Sequence, residues 1–471
     1  MTAAMWLNTL LYFAFATVAG RTVMRLMRFP RSGLVESWAA SYLTGQLILT
    51  LLTVLTAFVP LTLTVIFWSL LGILLLYWGV FVRPRAQLLR VAPAAWTVAA
   101  VVLVMLAFPN VAVPLHDTPL REWDARSMWF FHGKVIHLHG RVFVPFFVDP
   151  LYKWSIPGYP LLLPAQAAWT AFFQGGWNDY SCKSFLLFNF AAYVQLFWLV
   201  LRHSRIHWLI GVLLTAVLFD QGTFGYVSGY ADHHCAIALV LALAVLSLRS
   251  RRRHMPLFVL LLAYAGNAKN EGTGYVILLG ALVFAAAMVT IWRRPRMRGV
   301  LQPALLRSLL PGIVLFALPV ALWWTFKGIH GIHNRYNLVE RFGDAGSVLQ
   351  LLGERSSTIG AWFLDYYSSG AIPMVLATIV LLLILRLRLG RRCVRAAPGC
   401  AHGLLLWGAF LAVNCLIFLV FAMTPEDVTW HLRTAGDRLL FLPHILLFLI
   451  AVFEVQRLVR LLPPLAGRDS R

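Results

Sequence analysis

HDTPLREWDARSMWFFHGKVIHLHGRVFVPFFVDPLYKWSIPGYP, residues 116–160, is the first long polar interruption in a chain that otherwise reads as apolar runs. It holds four of the 18 acids (Asp117, Glu122, Asp124 and Asp149) together with Arg121, Arg126, Lys134, Arg141 and Lys153. Four histidines and Trp123, Trp129 and Trp154 lie among them. A mixed-charge loop between stretches too apolar for water reads as the exposed connection of a membrane protein.

The flanking sequence supports that reading. Of 471 residues, 60% are hydrophobic and 12% charged, where a soluble domain carries about 25% charged residues. Mean hydropathy is +0.76. A chain this poor in polar groups cannot cover a soluble globule, so a lipid bilayer is the expected solvent. A span needs about 20 apolar residues. Thirteen spans can be read, at 4–20, 36–58, 61–82, 92–109, 184–201, 208–220, 233–248, 256–268, 273–291, 308–326, 371–386, 402–423 and 439–456. The expected fold is all-α, a polytopic membrane protein with about 13 transmembrane helices and interfacial helices in its outer loops. One integral-membrane domain covers 1–471, with large loops at 110–183 and 327–370. The segment 161–174, LLLPAQAAWTAFFQ, is too short to cross. It reads as a helix at the interface, anchored by Trp169, Phe172 and Phe173.

The net charge is +22 and the pI is near 10.6. In a soluble protein that balance would suggest nucleic acid. Here the basic residues fall in short clusters between spans, the pattern of topology signals, so no nucleic-acid partner is expected. The clusters at 21–31, 83–90, 202–205, 249–253, 293–307, 386–395 and 457–471 hold 27 of the 40 Lys and Arg. The same side holds 3 of the 18 acids, giving an inner face near +24 and an outer face near −2. This alternation expects an N-terminus outside, a cytoplasmic C-terminus, and loops 110–183, 327–370 and 424–438 outside. Arg21, Arg25, Arg28 and Arg31 follow the first span and no basic residue precedes it, the reverse of a signal peptide. Five cysteines without a CxxC pair give no disulfide or zinc framework. No GxGxxG or Walker A motif is present, so ATP-driven work is not expected.

Within the loop, Thr118-Pro119 offers a helix N-cap with proline at the first helical position, and Gly140 offers a stop. Glu122 and Arg126, four apart, can then pair on one face. Glu122 and Asp124 would diverge by about 200°, unless the helix starts at Asp124, in which case both acids can face a substrate. The bland alternative is that acids in a first turn merely offset the helix dipole.

Glu122-Trp-Asp124-Ala-Arg126, then Trp129, Lys134 and Gly140, then Lys153 and Pro157-Gly-Tyr159-Pro160-Leu161, resembles the first extracytoplasmic loop of GT-C glycosyltransferases. The relatives concerned are bacterial and protein O-mannosyltransferases and aminoarabinose transferases. The second element reads GYPLLLP where those relatives carry KPPL. Gly229-Tyr-Ala-Asp232 and Lys269-Asn-Glu271-Gly272 resemble weaker motifs of the same superfamily. The resemblance implies an enzyme of the bacterial inner membrane using a polyprenyl-phosphate sugar as donor and a glycan, lipid or protein as acceptor. Lipid phosphate is a good leaving group, so the reaction needs one base for the acceptor proton and cations for the phosphate. Asp124 is the expected general base, with Glu122 as its rival. One carboxylate and in-line attack imply inversion at the anomeric carbon. Arg335, Arg341, Arg433, Arg438 and Lys269 are the candidate phosphate ligands, since guanidinium suits bidentate phosphate contact. Arg126, Lys153, Tyr159, Asp232 and Glu271 are candidate substrate contacts. Asp232 could equally be an N-cap, and Lys269 with Glu271 a structural pair. No metal ligand set is assigned, because neighbours in Asp232-His233-His234 diverge on a helix. A divalent cation stays open as a cofactor, since some members of the superfamily use one and others do not.

Two other classes compete. An O-antigen ligase or polymerase would rely on a late outer loop, here His330, His333, Arg335 and Arg341. A lipid-linked sugar transporter would need charges in mid-span, and the spans hold almost none.

Overall fold

The computed structural model describes residues 3–29, 35–81, 119–120, 122–204, 215, 228–246, 248, 251–293, 303–332, 345–370, 372–389 and 400–461. Every regular element among them is helical. In order they are α1 (Ala3–Leu26), α2 (Trp38–Leu55), α3 (Leu63–Phe81), a π-helical turn (Ala125–Trp129), α4 (Phe130–His139) and α5 (Val144–Val148). A 3-10 turn (Pro150–Ser155), α6 (Leu162–Gln174), α7 (Phe185–His203), α8 (Ala231–Leu246), α9 (Arg251–Ala268) and α10 (Asn270–Arg293) follow. The chain continues through α11 (Pro303–His330), α12 (Ala345–Ser368), α13 (Ile372–Leu389), α14 (Cys400–Ala422) and α15 (Val428–Leu461).

Eleven of the thirteen expected spans fall on these helices, and 92–109 and 208–220 lie outside the described residues. Among the described residues, six helices are long and apolar enough to cross a membrane. They are Trp38–Leu55, Leu63–Val80, Phe185–His203, Gly312–His330, Gly403–Ala422 and Val428–Gln456. Val348–Ser368 and Ile372–Ile384, bent by 75° at their break, would make a seventh as one broken span. The chain is thus a polytopic helical membrane protein, with fewer full-length spans demonstrated than the sequence suggests. Ala231–Leu246 is apolar but short.

The chain divides into two compact units, 1–276 with 299–335, and 277–298 with 336–471. In the first, α1 lies directly against α2. A Cβ on Gly20 would collide with the Ser41 carbonyl, and one on Gly45 with the Ala16 carbonyl. Close backbone approach at small residues is how helices associate where lipid removes the hydrophobic drive. At the basic end of these helices Arg21 meets Glu36 at 3.8 Å. Nearby, Arg25 lies 4.6 Å from the Trp78 ring centroid.

A polar knot joins α2, α6, α7 and α9. Tyr264 Oη donates to Gln46 Oε1 at 3.0 Å and accepts from Gln166 Nε2 and Asn189 Nδ2, each at 3.1 Å. Gln46 Nε2 donates to Asn189 Oδ1 at 2.7 Å, and Asn189 Nδ2 also donates to Gln166 Oε1 at 3.0 Å. All four side chains are buried. The tyrosine hydroxyl uses its one donor and both lone pairs.

α6 departs from expectation. It is buried along most of its length, packed among α1, α2, α4, α7 and α9. Trp169 is no interfacial anchor: it is fully buried and its Nε1 donates to Thr53 Oγ1 at 3.1 Å. The small residues Ala165, Ala167, Ala168 and Ala171 allow that close packing.

In the second unit α15 packs on α13 and α14, and α12 on α13, α14 and α15. α12 occupies much of what the sequence reads as the loop 327–370, and α15 begins inside the expected loop 424–438. Arg355 Nη1 donates to the carbonyls of Ala422 and Thr424 at 3.0 and 2.8 Å. This satisfies acceptors that the end of α14 leaves open. Tyr367 Oη donates to Asn414 Oδ1 at 2.6 Å.

Replacing Asn189 with Ala strands hydrogen-bonding groups on Gln46, Gln166 and Tyr264. We expect a loss of about 0.6–2 kcal/mol for each interaction removed, read by reversible unfolding in detergent. An Asn189→Ala protein as stable as wild type would show the knot to be energetically idle.

Candidate functional site

The loop of residues 122–161 is fastened over one end of the first unit. Leu63 N–H donates to the Gly140 carbonyl at 2.6 Å, and Val142 N–H to Thr56 Oγ1 at 2.9 Å. These bonds tie it to the end of α2 and the start of α3. Gly140 closes α4 in the left-handed conformation at φ 65°, as its position predicts. The start of the helix differs from the first expectation. Pro119 and Leu120 are not helical, Glu122 is at a bend, and the helix begins at Trp123. The first turn therefore carries Asp124, close to the alternative in which both acids stand at the helix start. It then widens into the π turn, a form frequent at functional sites.

Glu122 does not pair with Arg126. Its Oε2 accepts from Tyr230 Oη at 2.8 Å, and the Arg126 guanidinium lies 5.9 Å from the Trp123 ring centroid. Tyr230 stands just before α8, in Gly229-Tyr-Ala-Asp232. Gly229 has φ +85°, and a Cβ there would come within 2.6 Å of Phe130 Cε2 and 3.2 Å of Ala125 Cβ. Only glycine permits both that backbone and that approach, so this motif is seated on the loop helix itself.

Two residues on, Asp232 is buried in the first turn of α8. Lys269 Nζ lies 2.7 Å from Asp232 Oδ1 and 3.3 Å from Glu271 Oε1. Lys269 is the single residue between α9 and α10, so the tight turn read from Lys-Asn-Glu-Gly is present. Gly272 lets α10 leave that turn against α9, since a Cβ would strike the Ala265 carbonyl oxygen. Lys269 Nζ also stands 6.0 Å from the Tyr159 ring centroid. Tyr159 is buried and packs edge-on to Trp129 at 4.9 Å.

The bend before Tyr159 is held by donors aimed at one carbonyl. Lys327 Nζ at 3.3 Å, Trp323 Nε1 at 3.4 Å and Asn270 Nδ2 at 3.5 Å all reach Gly158 O. Beneath it, a cavity of about 10 Å³ is lined by Thr50, Pro160, Leu161, Asn267, Thr273 and Trp323, among others. That is room for about one water, not for a sugar.

The structure therefore brings Glu122, Tyr159, Asp232, Lys269 and Glu271 into one polar seam, with the half-buried Asp124 on the same turn as Glu122. Arg126 and Lys153 are exposed on the loop. Arg433 is exposed and Arg438 half-buried on α15 in the second unit, where Arg438 Nη2 donates to the Thr434 carbonyl at 3.1 Å. Arg335 and Arg341 lie outside the described residues. No group of three or more His, Cys, Asp or Glu among the described residues could hold a metal ion. The sequence reading missed Lys327 and Trp323. A charge at the margin of an apolar span is the signal that finds such a lysine, and the span read at 308–326 stopped one residue short of it.

His132 lies on the loop helix α4. It is buried between Phe146 and Phe147, with Nε2 3.1 Å from Ser155 Oγ. Burial pushes its imidazole down to about 3.

No family model, no curated protein and no solved structure matches this chain.

Lys269→Met leaves Asp232 and Glu271 without their cation. We expect about 3–5 kcal/mol of destabilisation, the usual result of removing one partner of a buried pair, measured by unfolding in detergent. An unchanged unfolding midpoint would mean that solvent already screens the cluster. His132 gives a pH test. Its folded pKa lies below its unfolded one, so its stability contribution is whole above about pH 6.5 and is lost as pH falls toward 3. His132→Gln should flatten the acid-side decline by about 1.4 kcal/mol per pH unit. Identical slopes in the two proteins would contradict this.

Proposed function

We propose that the chain is an inverting glycosyltransferase working at the extracytoplasmic face of a bacterial inner membrane. The observation that carries the reading is the docking of the Glu122–Asp124 turn, through Tyr230, onto the start of the short apolar helix α8, beside Asp232, Lys269 and Glu271. A site at helix ends suits a donor whose reactive head stands at the membrane surface while its tail stays in lipid. A polyprenyl-phosphate sugar has that form.

Asp124 acts as general base. The acceptor oxygen attacks the anomeric carbon as the bond from that carbon to the phosphate oxygen breaks. The electron pair leaves with the polyprenyl phosphate, and the acceptor proton passes to the Asp124 carboxylate. Glu122, held by Tyr230, stands beside it as a second acceptor of hydrogen bonds. Arg335 is the proposed cation for the phosphate within this unit. Lys269, already met by two carboxylates, takes part in that role only by exchanging one of them; otherwise it positions Asp232 and Glu271. Arg126, Lys153 and Tyr159 supply further substrate contacts. His333, Arg335 and Arg341, on which a ligase-type reading rests, lie outside the described residues, and His330 ends α11.

Asp124→Asn should abolish sugar transfer while leaving donor binding intact, a loss of about 10²–10⁴ in rate. Wild-type turnover would remove Asp124 from the mechanism. A periplasm-only reporter fused after Val148 should be active and one after Arg251 silent; the opposite pattern would invert the topology.

A further inference from the structure

Two indoles on the loop have no part in the scheme above. Trp123 and Trp154 are 60% and 48% exposed. Their ring centroids are 6.5 Å apart and their planes are inclined by 52°. Trp154 is stacked on Phe131 at 5.2 Å and 22°, and Phe131 is backed in turn by Phe146 at 5.2 Å. One indole is thus braced from behind, and Trp123 is fixed by the start of the helix. Together they make an open aromatic corner rather than a closed core. Trp123 lies between Glu122 and Asp124 in the chain, both half-buried.

We propose that Trp123 and Trp154 form the acceptor subsite, and that they take the ring of a neutral pyranoside. The inference rests on the glycosyltransferase reading and narrows its acceptor to a carbohydrate. The C–H bonds on one face of a sugar ring carry slight positive charge and settle on the negative face of an indole. The sugar's hydroxyls are donors, and ionised carboxylates are acceptors only, so Glu122 and Asp124 complete the recognition. Asp124, the proposed base, is the residue after Trp123. Tryptophans also anchor proteins in the head-group layer. An anchor is the other use of such a pair, since the exposed Arg126, 5.9 Å from the Trp123 ring centroid, and Lys153, next to Trp154, attract anionic head groups, whereas the two acids on either side of Trp123 repel them. The flanking acids favour the sugar.

The test uses the full-length protein in phosphatidylcholine nanodiscs, without donor. Saturation-transfer NMR is recorded with the methyl pyranosides of glucose, galactose, mannose, rhamnose and N-acetylglucosamine. At least one should bind, with saturation concentrated on its ring C–H protons. Trp123→Ala and Trp154→Ala should each weaken that binding by about three- to tenfold, the worth of one aromatic face. Trp430→Ala, an exposed indole of the second unit, should leave it unchanged. Binding that survives both loop substitutions, or absence of binding by all five glycosides, overturns the subsite. So does quenching of Trp123 and Trp154 fluorescence by brominated phosphatidylcholine, which would place the corner in the bilayer. Slow hydrolysis of a polyprenyl-phosphate sugar by the same nanodiscs reads the parent proposal separately. If hydrolysis occurs and glycosides do not bind, the subsite fails alone; if hydrolysis is absent in wild type, the transferase reading itself fails.

Discussion

Lys269, held between Asp232 and Glu271, is the interaction on which this end of the protein depends. A lone ammonium or carboxylate at the margin of a low-dielectric bundle costs several kcal/mol, so each of the three charges needs the others. Satisfying them fixes the start of α8 against the junction of α9 and α10. Once α8 is fixed, Tyr230 is brought within reach of Glu122, and Gly229 is seated on Ala125 and Phe130. The loop thus inherits its position from an ion cluster that belongs to the helices.

The same logic separates rigid parts from reactive ones. Lys327, Trp323 and Asn270 converge on the carbonyl of Gly158, and Thr56 and Leu63 hold the far side of the loop. The loop so fastened presents its exposed indoles and half-buried acids. Chemistry built on a loop is precise only when a scaffold removes the loop's freedom, and here the scaffold is the gathered ends of α2, α3, α8, α9, α10 and α11.

Much of this was legible in the sequence. Apolar runs marked the helices, because a span has no alternative way to satisfy its backbone in lipid. The three polar motifs at 122–126, 229–232 and 269–272 could be picked out one by one, and Gly140 as a helix stop could be read directly. What could not be read was that the three motifs meet. That depends on helix neighbours far apart in the chain, such as Glu122 with Tyr230. The burial of α6 was hidden for a similar reason: a short apolar helix looks the same whether lipid or protein covers it. Asp124 and Glu122 could be ranked by spacing only if the start of the helix was known. Thr118-Pro119 is a good capping pair, but the helix begins later, at Trp123.

The hydroxyl of Tyr264 has a consequence for biogenesis. Its three partners, Gln46, Gln166 and Asn189, all precede it in the chain. A ribosome delivers α2, α6 and α7 to the membrane before α9, and chains assemble from the N-terminus during synthesis. Until α9 arrives, the three carboxamides wait in an apolar medium with only part of their bonding met. The early bundle is therefore incomplete until α9, carrying Tyr264, has joined α2, α6 and α7.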